Sequence, residues 1–370
     1  MKMLISALIT ISIGCNTDNQ DKITDKPTVK YIMPSESSPH EGTWLQWPHK
    51  YQYGVTYRNR IEAIWIAMTR ELVSGEKVHI IAYNEEAKQD ITDKLTAAGV
   101  ALDNVDFYIF KTNDVWVRDN GPIYVRNANG NELTIEGWGF NGWGDKEPYA
   151  YSEQIPAEVA KVSRMPFVQL NDKMILEGGA VELDGKGSLM ATRSSILNMN
   201  RNPGMTQSEA EALLTTYLGA THFIWLDGMP GLDITDMHID GFARFGEGRQ
   251  IITMSREDLQ IWELPQKDID YLYSVSDSQG KPYKYVVLPL TKNNVVTTYG
   301  KDLGYQGSYV NYYISNNKIL VPTYNDPNDE IAIAIIQKLY PTRKAVGIDV
   351  RNLYADGGMI HCVTQQQPKK

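Results

Sequence analysis

Between residues 60 and 75 the chain reads "RIEAIWIAMTRELVSG", which places Ile61, Ile64, Trp65, Met68 and Leu72 on one helical face and ends on Ser74-Gly75, a stop. A short β-prone run follows, "KVHIIAY", then a second helical stretch, "NEEAKQDITDKLTAAG", and another strand pattern, "VDFYIF". Four pairs of β-prone runs around Gly- or Asn-rich turns come next, each the pattern of a hairpin: "IYVRNANGNELTIEG", "AVELDGKGSLMATR", "GFARFGEGRQIITMS" and "VNYYISNNKILVPTY". Their turns recur roughly every 55 to 70 residues, a period. Helices fall between them. "TQSEAEALLTTYLG" carries a capping-box pattern in Thr206 and Glu209 and a C-terminal stop in Gly219, and "NDEIAIAIIQKLY" leads into the strand "KAVGIDV". The recurring unit is hairpin, helix, strand. Copies of such an α/β unit can close into a ring, which would bring equivalent positions of each copy to one axis.

The segment ahead of this pattern reads differently. "MKMLISALITISIG", residues 1–14, sets Lys2 before a short apolar run and ends at Gly14, with Cys15 next; it resembles a bacterial lipoprotein signal. The run is too short to span a bilayer. The expectation is a signal peptide over 1–14, a lipid-bearing Cys15, a flexible polar tether over 15–30 and one catalytic domain over 31–370, held outside the cytoplasm by a membrane anchor.

Composition changes this picture in two respects. The chain has 42% hydrophobic and 22% charged residues, enough for a substantial core, and a formal charge of −9 without a Lys/Arg cluster, which argues against nucleic acid and mildly favours a cationic small molecule. It holds two cysteines. With Cys15 acylated, Cys362 is a free thiol in a compartment where unpaired thiols are usually avoided, and that points to chemistry.

The reactive residues sit at one repeated address. Just ahead of, or inside, the first strand of successive hairpins stand "WVRDNGP", "LEGGA", "MHIDGFARF", "YVNYY" and "GGMIHC". Singly, Asp119 reads as a turn residue, Glu177 as a surface charge and His238 as a satisfied core imidazole. Together they supply carboxylates, an imidazole and a thiol at equivalent points of a repeat, which packing alone explains poorly. His238 and Asp240, two apart, would share one face of a strand. His361, next to Cys362, would point away from it in an extended segment, leaving His238 as the acid/base. A thiol with a pKa of ~8.5 needs a nearby cation or base to attack well. Carboxylates around it discourage the thiolate unless the ligand itself is positive. A guanidinium fits: planar, bidentate towards carboxylates and able to stack on Trp116.

These motifs, with "PHEGTWLQWP" (39–48), "GWGFNGWG" (137–144), "SSILNMNRNPG" and "HCVTQQQP", resemble the agmatine deiminases and bacterial peptidylarginine deiminases, guanidine-modifying enzymes, over almost all of the mature chain. The resemblance implies a five-bladed α/β propeller with pseudo-fivefold symmetry and a cysteine hydrolase without metal or organic cofactor. It also implies roles: Cys362 as nucleophile, His238 as proton shuttle, Asp119 and Asp240 as the grip on the guanidinium, Glu177 as the support of the histidine. Trp116 would line the guanidinium slot, and Asn311 would position the cysteine loop or the substrate. Agmatine is the leading substrate, with peptidyl arginine or arginine behind it. The chain departs from the family's usual "GGGNIHC" at Asp356 and Met359, and from its glycine before the histidine at Met237; these touch the substrate's distal contacts. Rival readings are an amidinotransferase, a metal hydrolase built on His238, Asp240 and Glu177, and a non-catalytic lipoprotein that binds guanidino compounds.

Overall fold

The computed structural model describes residues 27–370, so the leader at 1–14, Cys15 and most of the tether lie outside the described residues. The first helix, Lys50–Leu72, buries the apolar face read from the sequence: Ile61, Ile64, Trp65, Met68 and Leu72. It starts earlier than that periodicity suggests, because His49 caps its first turn, and Gly54 then kinks it with a left-handed φ of 83°. The four hairpins form as the pattern predicts, and helix Gln207–Leu218 carries both halves of its capping box and ends on Gly219 at φ 77°.

The strands make five sheets. Three have three strands: Val181–Leu183, Ser188–Thr192 and His222–Leu226; Ala243–Gly246, Gln250–Thr253 and Lys284–Val287; Tyr313–Ile314, Lys318–Thr323 and Lys344–Asp349. In each, the first pair is antiparallel and the second parallel, so a tight turn makes the first connection and a crossover containing helix makes the second. The fourth sheet has Tyr31–Ile32, Ile123–Asn127, Leu133–Gly139 and Phe167–Ile175, with Tyr31–Ile32 added to the same pattern. The fifth joins distant parts of the chain: Gln365–Pro368 pairs antiparallel with His40–Gln46, which runs parallel to Lys77–Ala82, itself parallel to Val105–Ile109. No local turn announces that antiparallel pair.

Apolar clusters link the sheets in series. Trp44 and Ile81 pack with Tyr124 and Ile135, Ile123 and Val125 pack with Val181 and Leu189, and the largest cluster joins Ile224, Ile251, Leu320 and Ile80. No helix among the described residues is long and apolar enough to cross a membrane.

Candidate active site

A short helical turn stands just before the first strand in four of the five sheets: Val117–Asn120, Gly178–Ala180, Ile239–Gly241 and His361–Val363. Asn311 holds the corresponding place ahead of Tyr313–Ile314. The turns pack on one another, Val117–Asn120 against Gly178–Ala180 and His361–Val363, and Gly178–Ala180 against Ile239–Gly241. The repeated address in the sequence is therefore one place in space. The expected strand geometry is corrected here. His238 is extended but Asp240 lies in a 3-10 turn, and His361 and Cys362 share another, so alternation along a strand does not decide where these side chains point.

His238 Nε2 lies 2.9 Å from Glu177 Oε2, and its Nδ1 lies 3.6 Å from Asp119 Oδ1. Glu177 is itself fixed: Arg201 Nε donates to its Oε1 at 2.5 Å while Arg201 Nη1 donates to Asp236 at 3.0 Å. Asp119 accepts from Trp143 Nε1 at 2.9 Å and from the Gly179 amide at 3.1 Å. Gly179 has no room for a side chain. A Cβ there would lie 2.6 Å from His238 Nδ1, 2.7 Å from Asp119 Oδ1 and 3.1 Å from Asp240 Oδ2. The imidazole and two carboxylates thus converge on one glycine.

Cys362 is largely buried and shares the lining of a cavity of about 620 Å³ with His238, Asp240 and Asn311. Its Sγ lies 3.5 Å from Asn311 Oδ1, which also accepts the His361 amide at 3.0 Å, while Asn311 Nδ2 donates to the Asp240 carbonyl at 3.2 Å. Asn311 therefore ties the cysteine turn to the histidine turn. Met237 and Met359, two of the three departures from the family pattern, line the same cavity. Met237 has φ 74°, a left-handed conformation that glycine adopts without strain. Trp116 is not among the lining residues; its ring closes on Gly358, where a Cβ would meet it at 2.2 Å. Asp119 and Glu177 are likewise buried behind the lining, in reach of His238.

The electrostatics follow from this crowding. Burial opposes charge on His238, but Asp119, the hydrogen-bonded Glu177 and Asp240 outweigh it and lift its pKa to about 9. Burial, with Asp240 and Glu177 adding repulsion, pushes Asp119 up to about 6 against the pull of His238. Burial would raise Asp240 too, yet the hydrogen bond and charge of His361, with His238 and Arg118, hold it below its ordinary value. Burial and then the charges of Asp240 and Asp119 push the Cys362 thiol well above its ordinary value. The resting site presents a thiol and an imidazolium on one cavity, with carboxylates that suit an incoming cation. No group of three or more His, Cys, Asp or Glu among the described residues is arranged to hold a metal ion.

A family model described as Porphyromonas-type peptidyl-arginine deiminase matches residues 32–368, and the chain belongs to that family. It is an enzyme of the deiminase class, a hydrolase acting on the carbon–nitrogen bond of a guanidino group. A protein of Shewanella sp. (strain MR-4) named "Putative agmatine deiminase" is 32% identical over 94% of this chain and 97% of its own length. Among solved structures, the agmatine deiminase of Enterococcus faecalis is 25% identical with a TM-score of 0.81, covering 92% of this chain and 96% of that one. A C. jejuni agmatine deiminase with substrate bound is 25% identical with a TM-score of 0.78, at the same coverages. The neighbours place the fold in the α/β class.

Proposed function

We propose that the protein hydrolyses agmatine to N-carbamoylputrescine and ammonia through a covalent amidino intermediate on Cys362. One observation carries the choice of substrate: the cavity lining includes Asp233, Asp240 and Glu263 and not one Lys or Arg. Agmatine has a cation at each end and suits that lining, whereas free arginine would bring a carboxylate with no Lys or Arg in the lining to meet it. Asp240 on the lining, with Asp119 just behind it beside Gly179, grips the guanidinium, and the positive charge offsets the repulsion that keeps the thiol protonated, so the thiol gives its proton to solvent as substrate enters. The thiolate attacks the guanidino carbon. His238, charged at neutral pH, gives its proton to the departing nitrogen, the C–N bond breaks and ammonia leaves. His238, now neutral and steadied by Glu177, takes a proton from water; the hydroxide adds to the carbon, and as the C–S bond breaks the hydroxyl proton passes to the sulfur, restoring the thiol and releasing the neutral ureido product.

A peptidyl arginine is the second reading, since it too lacks a free carboxylate and the lining residues Ile261 and Tyr305 are 57% and 47% exposed. Incubation of the protein with agmatine, arginine and an arginine-containing peptide, followed by assay of ammonia and ureido products, decides between them. Turnover of agmatine above the other two is expected; silence on all three leaves the guanidino-binding lipoprotein.

Two further parts of this reading concern the whole chain. The five sheets form the blades of a propeller around one axis, supported by their shared strand order, the serial apolar clusters and the pairing of Gln365–Pro368 with His40–Gln46; a crystal structure without a common axis would refute it. Cys15 carries the lipid that anchors the enzyme outside the cytoplasm, so Cys15→Ser should free an active protein from membranes. Retention of that variant would refute the anchor.

A further inference from the structure

The motif residues do not account for every charge that bears on the cysteine turn. Glu36 lies outside every motif, in the segment before strand His40–Gln46, yet its carboxylate reaches the cysteine turn. Its Oε2 accepts from His361 Nε2 at 2.7 Å and from Arg244 Nη2 at 2.8 Å, with Arg118 Nη2 at 3.6 Å, and its Oε1 accepts the Ile314 amide at 2.8 Å. The other nitrogen of His361, Nδ1, lies 2.8 Å from Asp240 Oδ2. His361 is 2% exposed, so water does not substitute for either partner. An imidazole with a carboxylate at both nitrogens has a hydrogen for each only in its doubly protonated form.

We propose that Glu36 is a positioning residue that acts through His361 on Asp240, the three forming a chain of alternating charge that keeps Asp240 ionised and aimed for the substrate's guanidinium. The inference rests on the reading of Asp240 as a guanidinium ligand. The physical need is plain: Asp240 is 2% exposed and shares the site with Asp119 and the Cys362 sulfur, so burial and like charge both favour its protonation. His238 and Arg118 help against this, but among the described residues only His361 touches Asp240 Oδ2 with a hydrogen bond. Glu36 in turn faces His361, Arg244 and Arg118, and Arg244 also faces Glu182 at 3.5 Å and lies over the Tyr312 ring. Those cations hold the Glu36 carboxyl well below its ordinary range despite burial. Removing its charge takes the carboxylate away from His361 Nε2, so the support that His361 gives Asp240 through Nδ1 weakens and Asp240 takes up a proton at a higher pH than in the parent.

The test uses Cys362→Ser protein, which binds without turnover, and titrates agmatine calorimetrically into it with and without Glu36→Gln. The dissociation constant should weaken by about tenfold near pH 5.5, one pKa unit's worth, and converge with the parent near pH 8, where Asp240 is ionised in both. Asp119 titrates in both proteins and is repelled by Asp240, so the two proteins are compared at the same pH and only the pH dependence of their ratio is read. Glu36→Asp, which keeps the charge, should restore most of the loss. A ratio that is the same at both pH values assigns Glu36 a merely structural role, and a ratio near one removes any role; either overturns the proposal. Parent protein that binds no agmatine at any pH would instead sink the functional reading and this inference with it. Should Glu36→Gln fail to show a cooperative melt, His361→Gln carries the same criteria.

Discussion

At the scale of single residues the site is defined by which protons are held. Asp119 must be ionised to receive a cation, so activity falls as pH drops through about 6; His238 must be protonated to release ammonia, so activity falls as pH rises through about 9. A kcat/KM profile measured across that range should be a bell with those two limbs, and a flat profile would contradict the assignment of His238. Glu177→Gln removes a charge that favours the imidazolium, so its alkaline limb should move down by about one unit. Cys362→Ser should lower kcat on the order of 10⁴-fold or more while leaving substrate binding measurable. The groups that carry these effects were legible because the chemistry is written in residue type: a lone thiol, an imidazole and carboxylates at one repeated position. The groups that tune them were not. Glu36, Arg118, Arg201 and Arg244 are ordinary charges in sequence, and their burial and pairing exist only once remote segments meet. Arg201 stands within "SSILNMNRNPG", and two buried carboxylates are what distinguish it from a surface arginine.

At the scale of elements, position depends on turns more than on strands. The helical turn at Gly178–Ala180 carries Gly179 under His238, Asp119 and Asp240, and Gly179→Ala should cost roughly 10²-fold in kcat/KM by displacing all three. The capping box of Gln207–Leu218 is independent of chemistry. Thr206→Ala should lower stability by about 1 kcal/mol with kcat unchanged, read from a thermal melt and a rate assay on the same sample. Local signals made the four hairpins and their helices readable, since each is closed by its own Gly- or Asn-rich turn. The 3-10 turns at Ile239–Gly241 and His361–Val363 had no such signal, and strand alternation was the wrong guide there. Their shape is imposed by packing against neighbouring turns, and Asn311 fastens one to the other.

At the scale of the molecule, the fifth sheet sets the terms. Its antiparallel pair joins Gln365–Pro368 to His40–Gln46, with Gln367 Oε1 accepting from Trp44 Nε1 at 3.0 Å and from Tyr124 at 3.2 Å. A chain ending at Thr364 should lose the cooperative melt and all deiminase activity, because buried ladder groups of His40–Gln46 would go unpaired. The α/β class was readable from the periodic units, but this pairing was not, since it spans nearly the whole chain with no turn between its strands. That span also bears on how the enzyme comes into being. While a ribosome is still adding the residues before 365, the strand at His40–Gln46 has waited through most of synthesis with one edge bare, and Cys362 has only just been made. No emerging intermediate can hold the complete site: the last strand of the fifth sheet and Cys362 arrive together, so a nascent chain stays incomplete until its end can pair with its own beginning.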